Sequence, residues 1–286
     1  MDALNDRTGR RSCWHNIQMA DSRPARPASS ASPVFEDADW ARDMKRFFVG
    51  LRRPVRILHP CAGLNAPERA ARELGVGWLT VGDYEKSAKL GTALATISSD
   101  SSMLHIGRAG DVLQVRLADL DLSADGIISG PPCPPWSSMG KRLREMDSRS
   151  CVFLTVCAWI IHCARHGKLS FCIVENVAGI LNKRSRDDGT SFGEWFQHEL
   201  LAELPTGWTM RAVSANSINA GLPQSRPRVF FVGASPVLTA TRRLRRILTH
   251  PPLRLPRVPL AQFIDMVAAP EDEQKLSTRH SYCCYV

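Results

Sequence analysis

One cysteine stands in a setting that favours chemical reactivity, within the stretch GPPCPPWSSMGKR at residues 130–142. Two Pro-Pro pairs flank Cys133, and because proline fixes φ and lacks a backbone N–H, this stretch is excluded from helices and sheet interiors. The thiol is therefore held on a stiff polar loop, where a helix end or Lys141 and Arg142 can favour the thiolate. These residues alone leave a nucleophile and an ordinary loop cysteine equally open.

An acid and two arginines farther along the chain could assist such a thiolate. Glu175 follows the apolar run FCIV, and a carboxyl that emerges from a buried strand can have a raised pKa and donate a proton at neutral pH. Arg226 and Arg228 alternate in the segment PQSRPR, so in an extended chain both can face one cleft. The structural alternatives are a paired acid in the core and plain surface charge.

Two further acids and a glycine are typical of nucleotide sites. Asp83 and Asp111 follow apolar runs, at positions where nucleotide-binding folds place acids that contact a ribose or an adenine amino group. In the loop HPCAGLNAP, Gly63 permits the backbone to approach a ligand closely. Each of these signals is weak when taken separately.

The elements that must position these residues alternate along the chain. Short apolar or β-type runs predict strands at residues 55–58, 78–82, 103–106, 126–129, 171–174, 209–216 and 228–234. Amphipathic or apolar stretches predict helices at residues 37–51, 67–75, 86–97, 150–165 and 192–204. This alternation predicts an α/β fold, doubly wound around a mostly parallel seven-stranded sheet. Ligands bind such sheets beyond the carboxyl ends of the strands, where the candidate residues lie in the sequence.

The composition indicates a globular protein with a basic surface. The formal net charge is +9 and the pI is near 9.3. Residues 226–257 contain arginines but no acid, which suits contact with a polyanion or, alternatively, a solvated basic tail. No apolar run approaches the roughly 18–20 residues of a membrane span, and no signal or transit peptide pattern opens the chain. We therefore expect an intracellular protein, in either the nucleus or the cytoplasm.

The nine cysteines form neither a disulfide framework nor a zinc pattern. They stand singly apart from one adjacent pair, Cys283 and Cys284, which suits a reducing compartment. The one metal-like arrangement is His162 and His166, four residues apart beside Cys163. Because no second ligand cluster accompanies it, we expect no bound metal.

Six segments, in this order, resemble the motifs of the C5 cytosine-specific DNA methyltransferase family. Its members transfer a methyl group from S-adenosylmethionine to carbon 5 of cytosine. The segments are CAGLNAPE, VGDYEKSA, GDV, DGIISGPPCPPWSSMGKR, VENV and AGLPQSRPRVFFVG, and together they span roughly residues 54–234. The resemblance implies the class I fold of S-adenosylmethionine-dependent methyltransferases, with S-adenosylmethionine as cofactor.

The resemblance also implies a role for each candidate residue. Cys133 is the nucleophile that adds to C6 of a cytosine flipped out of the duplex, and Glu175 acts at N3 of the ring. Arg228 holds O2 of the cytosine, and Arg226 orders the site. The implied cofactor-binding residues are Cys61, Ala62, Gly63, Leu64, Asp83, Tyr84, Asp111, Val112 and Pro131. The implied substrate-binding residues are Pro132, Ser137, Lys141, Arg142, Asn176, Val177 and Gln224.

Three segments are expected along the chain. They are a disordered N-terminal linker at residues 1–36, a C5-methyltransferase-like catalytic domain at residues 37–240 and a basic, Pro-rich extension at residues 241–286. In that extension we expect the target-recognition domain to be truncated or absent, so that a partner protein could supply sequence recognition. DNA is the expected substrate. The alternatives are cytosine in tRNA, methylated by the same chemistry, and a catalytically inactive relative that binds nucleic acid.

Overall fold

The computed structural model describes residues 53–73, 76–87, 89–90, 110–133, 135–136, 147–182, 189–219 and 223–239. Several predicted features fall outside these ranges: the helix at 37–51, most of the helix at 86–97, the strand at 103–106, and the residues Ser137, Lys141 and Arg142. The predicted boundaries of the linker and of the C-terminal extension fall outside them as well.

Within the described residues, six strands form one sheet. Their bounds are Val55–Pro60 (β1), Trp78–Tyr84 (β2), Gly126–Ser129 (β3), Phe171–Val177 (β4), Thr209–Asn216 (β5) and Pro227–Ala234 (β6). The spatial order is β2-β1-β3-β4-β6-β5; β1 to β4 pair in parallel, and β6 is antiparallel to both of its neighbours. The sheet is therefore mixed, and these strands match six of the seven predicted runs.

The strands extend farther toward the candidate site than the apolar runs predict. Glu175 and Asn176 lie inside β4, where Glu175 is paired opposite Phe230 of β6. Asp83 likewise lies inside β2, opposite His59 of β1. The prediction that these side chains follow their strands is wrong, because a paired neighbour continues a strand beyond the apolar run that signals it.

Helices pack on both faces of the sheet. They are Ala66–Glu73 (α1), Ser150–His166 (α2), Phe192–Glu203 (α3) and Pro236–Thr239 (α4), with short 3-10 turns at Val112–Gln114, Leu117–Asp119, Ala178–Leu181 and Ser217–Asn219. Side chains of β1 alternate between the faces. Ile57 belongs to the apolar cluster that includes Ala71 of α1, whereas Leu58 belongs to the larger cluster with Trp159 of α2.

The predicted buried helix near residues 150–165 is confirmed as α2. Its sequence is apolar almost all round, and Trp159, Ile160 and Ile161 have no exposed surface. Burying such side chains stabilises the fold by about 1.5–3 kcal/mol each. Among the residues described, no helix has the length and apolarity that a bilayer crossing requires.

Candidate active site

The strand order creates a crevice at the end of β1. From β1 the chain adds β2 on one side and later β3 on the other, so the loops after β1 and β3 diverge from a topological switch point. The hydroxyl of Ser129, at the end of β3, donates a hydrogen bond to the carbonyl O of Pro60 over 2.7 Å. The two loops, at residues 61–65 and 130–133, therefore start side by side.

The loop after β1 turns through alternate residues in the left-handed region. The φ angle is 58° at Cys61, 56° at Gly63 and 54° at Asn65. A Cβ at Gly63 would meet no described atom within 4 Å, so open space borders the loop there. The side-chain amide of Asn65 donates to the carboxylate of Glu68, which also accepts from the Thr80 hydroxyl over 3.0 Å. This buried network fixes the loop without a second glycine.

Two carboxylates border the same loop. The backbone N–H of Gly63 donates to Oε2 of Glu85 over 3.0 Å, and the carboxylate of Asp111 pairs with Lys86 at 2.7 Å. The hydrogen bond that Asp111 accepts from Lys86 holds the pKa of Asp111 below its usual range. Burial, and then the negative charges of Glu85 and Asp111, raise the pKa of the Cys61 thiol to about 12. Cys61 is thus a neutral thiol in an acidic crevice.

Asp83 and Tyr84, at the end of β2, are both buried. Oδ1 of Asp83 lies 3.8 Å from Nδ1 of His59. The ring of Tyr84 stands edge-on to Trp159, with centroids 4.8 Å apart. The carboxylate that contacts the Gly63 loop is instead that of Glu85, directly after β2, which the sequence analysis did not single out.

The Pro-Cys loop, described at residues 130–133 and 135–136, is held on one side by the helices. The N–H of Trp136 donates to the carbonyl O of Cys133 over 3.0 Å and closes a turn. Trp136 is buried, and its ring packs against Phe153 of α2 and Phe192 of α3, with centroids 5.5 and 4.8 Å apart. Cys133 itself is half-buried and is not disulfide-bonded. The turn therefore holds a partly exposed cysteine against the helices.

β4 and the 3-10 turn after it hold the other side of the Pro-Cys loop. The buried side chain of Asn176 donates to the carbonyl O of Pro131 over 3.4 Å and accepts from the N–H of Val177 over 2.9 Å. A Cβ at Gly179 would overlap the carbonyl O of Trp136. Glycine is therefore required for the backbones of these two segments to pack this closely.

Glu175 and Arg228 form an ion pair beside the same loop. Nε of Arg228 lies 2.7 Å from Oε1 of Glu175. Oε2 lies 3.6 Å from the position of a Cβ on Gly130, three residues before Cys133. Burial raises the pKa of Glu175, although the positive charges of Arg228 and Arg226 oppose that effect. Burial thus favours the protonated carboxyl and the two arginines favour the carboxylate, so this group can exchange a proton with a ligand in the crevice.

The segment before β6 is anchored to the end of β5. Oδ1 of Asn216 accepts from the backbone N–H of Arg226 over 2.8 Å. The carbonyl O of Gln224 accepts from the hydroxyl of Ser217 over 2.6 Å, while the Gln224 side chain is exposed. These bonds fix the backbone that leads into Arg228.

Comparison with known proteins decides the family. The model of the C-5 cytosine-specific DNA methylase family matches residues 100–278, well over half of the chain. The chain belongs to this family. The match includes the Pro-Cys loop, β4 and β6, which converge in the candidate site, and the resemblance drawn from the sequence motifs is confirmed.

Relatives of this C5 methylase family member include bacterial type II methyltransferases. The chain is 26% identical over 180 residues to M.NgoPII of Neisseria gonorrhoeae, covering 63% of this chain and 48% of that protein. It is 29% identical over 150 residues to M.DdeI of Desulfomicrobium norvegicum, covering 51% of this chain and 32% of that protein. The chain thus spans less than half the length of these two relatives.

Solved structures of Dnmt2 proteins are also similar to the chain. A DNMT2 mutant of Spodoptera frugiperda superposes with a TM-score of 0.48 and 20% identity, covering 72% of this chain and 57% of that chain. The S. pombe Dnmt2 methyltransferase gives a TM-score of 0.46 and 16% identity, covering 64% of this chain and 49% of that chain.

In this C5 methylase family member the predicted site residues form two groups around the switch point. The group that borders the loop after β1 comprises Cys61, Ala62, Gly63, Leu64, Asp111 and Val112. The group where β3 and β4 end and β6 begins comprises Pro131, Pro132, Cys133, Glu175, Asn176, Val177, Arg226 and Arg228. Asp83 and Tyr84 are buried at the end of β2, and Ser137, Lys141 and Arg142 lie outside the described residues.

Three further residues beside the Pro-Cys loop escaped the sequence analysis. Gly179 follows the VENV segment by two residues, and its only signal is that glycine itself. Asp147 and Arg149 stand directly before the apolar run of α2, where a charged pair can mark a helix start.

Two histidines of α2 and one cysteine bear on the predictions about metals and disulfides. The rings of His162 and His166 lie on α2 with centroids 4.9 Å apart, and within the described ranges no three His, Cys, Asp or Glu side chains group as metal ligands. Cys151 is disulfide-bonded, which the cysteine spacing did not predict.

Proposed function

We propose that the chain carries the catalytic residues of a methyltransferase that transfers a methyl group from S-adenosylmethionine to carbon 5 of cytosine in DNA. The observation that carries this proposal is the Glu175–Arg228 pair beside the Pro-Cys loop, in a member of the C5 cytosine-specific family. The type II methyltransferases among the relatives support DNA as the substrate, as does the net charge of +9. We assign the activity to a domain at residues 37–240.

The chemistry requires a nucleophile because carbon 5 of cytosine is itself unreactive. In the proposed first step the Cys133 sulfur forms a bond to C6, and the electrons of the C5–C6 double bond shift so that N3 becomes basic. Glu175 gives a proton to N3, which its raised pKa favours. The resulting enamine makes carbon 5 nucleophilic. Arg228, next to Glu175, holds O2 of the ring.

S-adenosylmethionine supplies the methyl group that carbon 5 accepts. The crevice after β1 suits this compound: open space borders Gly63, and Glu85 and Asp111 offer carboxylates to hydroxyl and amino groups. We assign its binding to Cys61, Ala62, Gly63, Leu64, Asp111, Val112 and Pro131. Asp83 and Tyr84, which are buried at the end of β2, are proposed to complete this set.

The last steps restore the aromatic ring. A base removes the proton from carbon 5, the C5–C6 double bond forms again as the thiolate of Cys133 leaves, and N3 returns its proton to Glu175. Because C6 is stacked inside duplex DNA, the cytosine must first be flipped out, at a cost of about a few kcal/mol. Pro132, Asn176, Val177 and Gln224 are proposed to contact the flipped nucleotide.

Covalent trapping is the sharpest test of the nucleophile. Duplex DNA that contains 5-fluorocytosine is incubated with the protein and S-adenosylmethionine; fluorine at carbon 5 cannot leave as a proton does, so an active enzyme stays attached. We expect a complex that survives denaturation with the wild type and with the control Cys163→Ala, which changes a buried thiol of α2, but none with Cys133→Ala. Trapping by Cys133→Ala would overturn the assignment.

The substrate is tested by offering duplex DNA and tRNA side by side with labelled S-adenosylmethionine. Label that enters DNA in a Cys133-dependent manner supports the proposal, whereas label in tRNA alone favours the tRNA alternative. If neither nucleic acid is labelled or trapped, while binding persists and weakens with salt, the chain is an inactive nucleic-acid-binding relative.

A further inference from the structure

Arg149 and Asp147 lie beside the Pro-Cys loop and have no role in the mechanism above. We propose that Arg149 is a positioning residue whose charge stabilises the Cys133 thiolate, and that Asp147 orients its guanidinium. The inference rests on the proposed function, because it needs Cys133 to act as the nucleophile.

Asp147 holds the guanidinium of Arg149 in one orientation. Nε of Arg149 donates to Oδ1 of Asp147 over 2.8 Å, and Nη2 donates to Oδ2 over 2.6 Å. The backbone N–H of Arg149 also donates to Oδ1, over 3.0 Å. Such a forked pair limits the rotation of the guanidinium plane. Hydrogen bonds from Arg149 lower the pKa of Asp147 to about 2, so the pair remains ionised at every pH at which a thiol titrates.

A chain of contacts links the start of α2, where Arg149 lies, to the Pro-Cys loop. Arg149 directly precedes the first residue of α2, and Phe153 follows four residues later, on the same face of the helix. The ring of Phe153 packs against Trp136. The N–H of Trp136, in turn, donates to the carbonyl O of Cys133. The Pro-Cys loop therefore packs on the first turn of α2, on the face that contains Phe153.

Charged side chains lie on two sides of the Pro-Cys loop, and Arg149 is on the side away from Glu175. On the sheet side stand Glu175 and the two arginines that act on it, Arg226 and Arg228. On the helix side stands Arg149 with Asp147. The pKa of Arg149 is raised, first by its hydrogen bonds to Asp147 and also by the negative charge of a Cys133 thiolate. By reciprocity the same attraction favours the thiolate over the thiol.

The test measures the reactivity of the Cys133 thiol in the full-length protein without nucleic acid or S-adenosylmethionine. Iodoacetamide labelling is followed against pH by mass spectrometry of the tryptic peptide 117–141, in which Cys133 is the single cysteine. We expect Arg149→Gln to slow labelling at pH 7 by roughly twofold to fivefold, because nearly half of the Arg149 side chain is exposed and water screens its charge. The pH midpoint of labelling rises accordingly.

Two variants separate charge from structure. Arg149→Lys keeps the charge and should recover most of the labelling rate. If the bidentate contact with Asp147 mattered and the charge did not, Arg149→Lys would label as slowly as Arg149→Gln. Arg165→Gln makes the same change at the far end of α2, where Arg165 bonds to Glu203, and should leave the labelling of Cys133 unchanged. A wild-type pH profile for Arg149→Gln would overturn the inference.

A salt titration keeps the inference testable even if Arg149→Gln fails to fold. Raising the ionic strength to about 1 M screens an exposed charge, so labelling of the wild type should slow toward the rate expected for the variant. Labelling that is independent of salt would contradict the proposal.

The readout is also independent of methyl transfer. If Arg149→Gln changes the labelling profile in a protein that methylates nothing, the proposed function fails and the inference about the thiolate stands. If the protein methylates DNA but the profile is unchanged, only the inference fails.

Discussion

Nε of Arg228 lies 2.7 Å from Oε1 of Glu175, and this contact joins two strands that run in opposite directions. Arg228 is paired opposite Val177, two residues beyond Glu175 on the same face of β4, so the two side chains meet on the diagonal of the ladder. The pair stands beside Gly130 at the start of the Pro-Cys loop. An acid, a guanidinium and a thiol-bearing loop are thereby collected at one edge of the sheet.

Replacing Glu175 by Gln should abolish proton donation and preserve the fold. The amide oxygen of Gln can still accept from Arg228, but the amide cannot give a proton to N3. We expect methyl transfer to fall by about 10²–10⁴-fold, the usual contribution of a general acid, while the circular dichroism spectrum stays that of the wild type. Near-normal methyl transfer by Glu175→Gln would show that another group protonates the base.

The same substitution has a pH signature in stability. Because the folded-state pKa of Glu175 is raised above 4.5, its protonation favours the fold below that pH, and this contribution is lost as the pH rises through the raised pKa. The free energy of unfolding of the wild type should therefore decline relative to that of Glu175→Gln over this window. Denaturant titrations at a series of pH values measure the difference, and a difference that is constant with pH would contradict the burial of this acid.

Removing Arg228 should shift the titration of Glu175 upward. The positive charge of Arg228 opposes the effect of burial, so Arg228→Gln should raise the pKa of Glu175 further. The carboxyl carbon of Glu175, followed by ¹³C NMR against pH, reports this directly. Arg69→Gln, an equal change of charge on the exposed side of α1, serves as the control and should leave the titration unchanged. A fall in the pKa would reverse the sign of the proposed interaction.

Gly179→Ala should damage catalysis more than stability. The added Cβ would overlap the carbonyl O of Trp136, so the Pro-Cys loop must move away from β4. We expect methyl transfer to fall roughly tenfold to a hundredfold, as for other small displacements of a reacting group, with about 1–3 kcal/mol lost from the free energy of unfolding.

A matched glycine controls for the loss of backbone freedom at Gly179. A Cβ at Gly77 would lie 3.4 Å from the nearest described atom, a normal contact, so Gly77→Ala should retain both activity and stability. Equal losses of activity in Gly77→Ala and Gly179→Ala would refute the explanation by loop displacement.

Two cysteines near the switch point should differ in reactivity. Burial and two nearby acids raise the pKa of Cys61 to about 12, so its thiolate is scarce at neutral pH. At pH 8 we expect iodoacetamide to modify Cys133 at least about tenfold faster than Cys61, since the thiolate is the reacting form. Tryptic peptides 57–69 and 117–141 each carry one of these thiols, so a single mass spectrum compares them. Faster modification of Cys61 would contradict the electrostatics of the crevice.

The residues proposed for the site could be named from the sequence because the signals for them are residue types and short spacings. Two Pro-Pro pairs determine the stiffness of the loop around Cys133 wherever the loop lies. The apolar runs before Glu175 and after Arg228 mark strands on their own, and both are strands in the structure. The family followed from the order of six such segments, and the family match confirms it.

What the sequence could not supply is the register and order of the strands. Whether Arg228 faces Glu175, whether Tyr84 points into the core, and whether Gly179 touches Trp136 each depend on partners far along the chain. A local sequence pattern gives only the type of secondary structure and its apolar face. It therefore identifies residues that can do chemistry but does not show which of them are in contact. The packed sheet determines which residues meet. The order of its strands places β6 beside β4, and the contact of Trp136 with α2 fixes the Pro-Cys loop at the same end of the sheet.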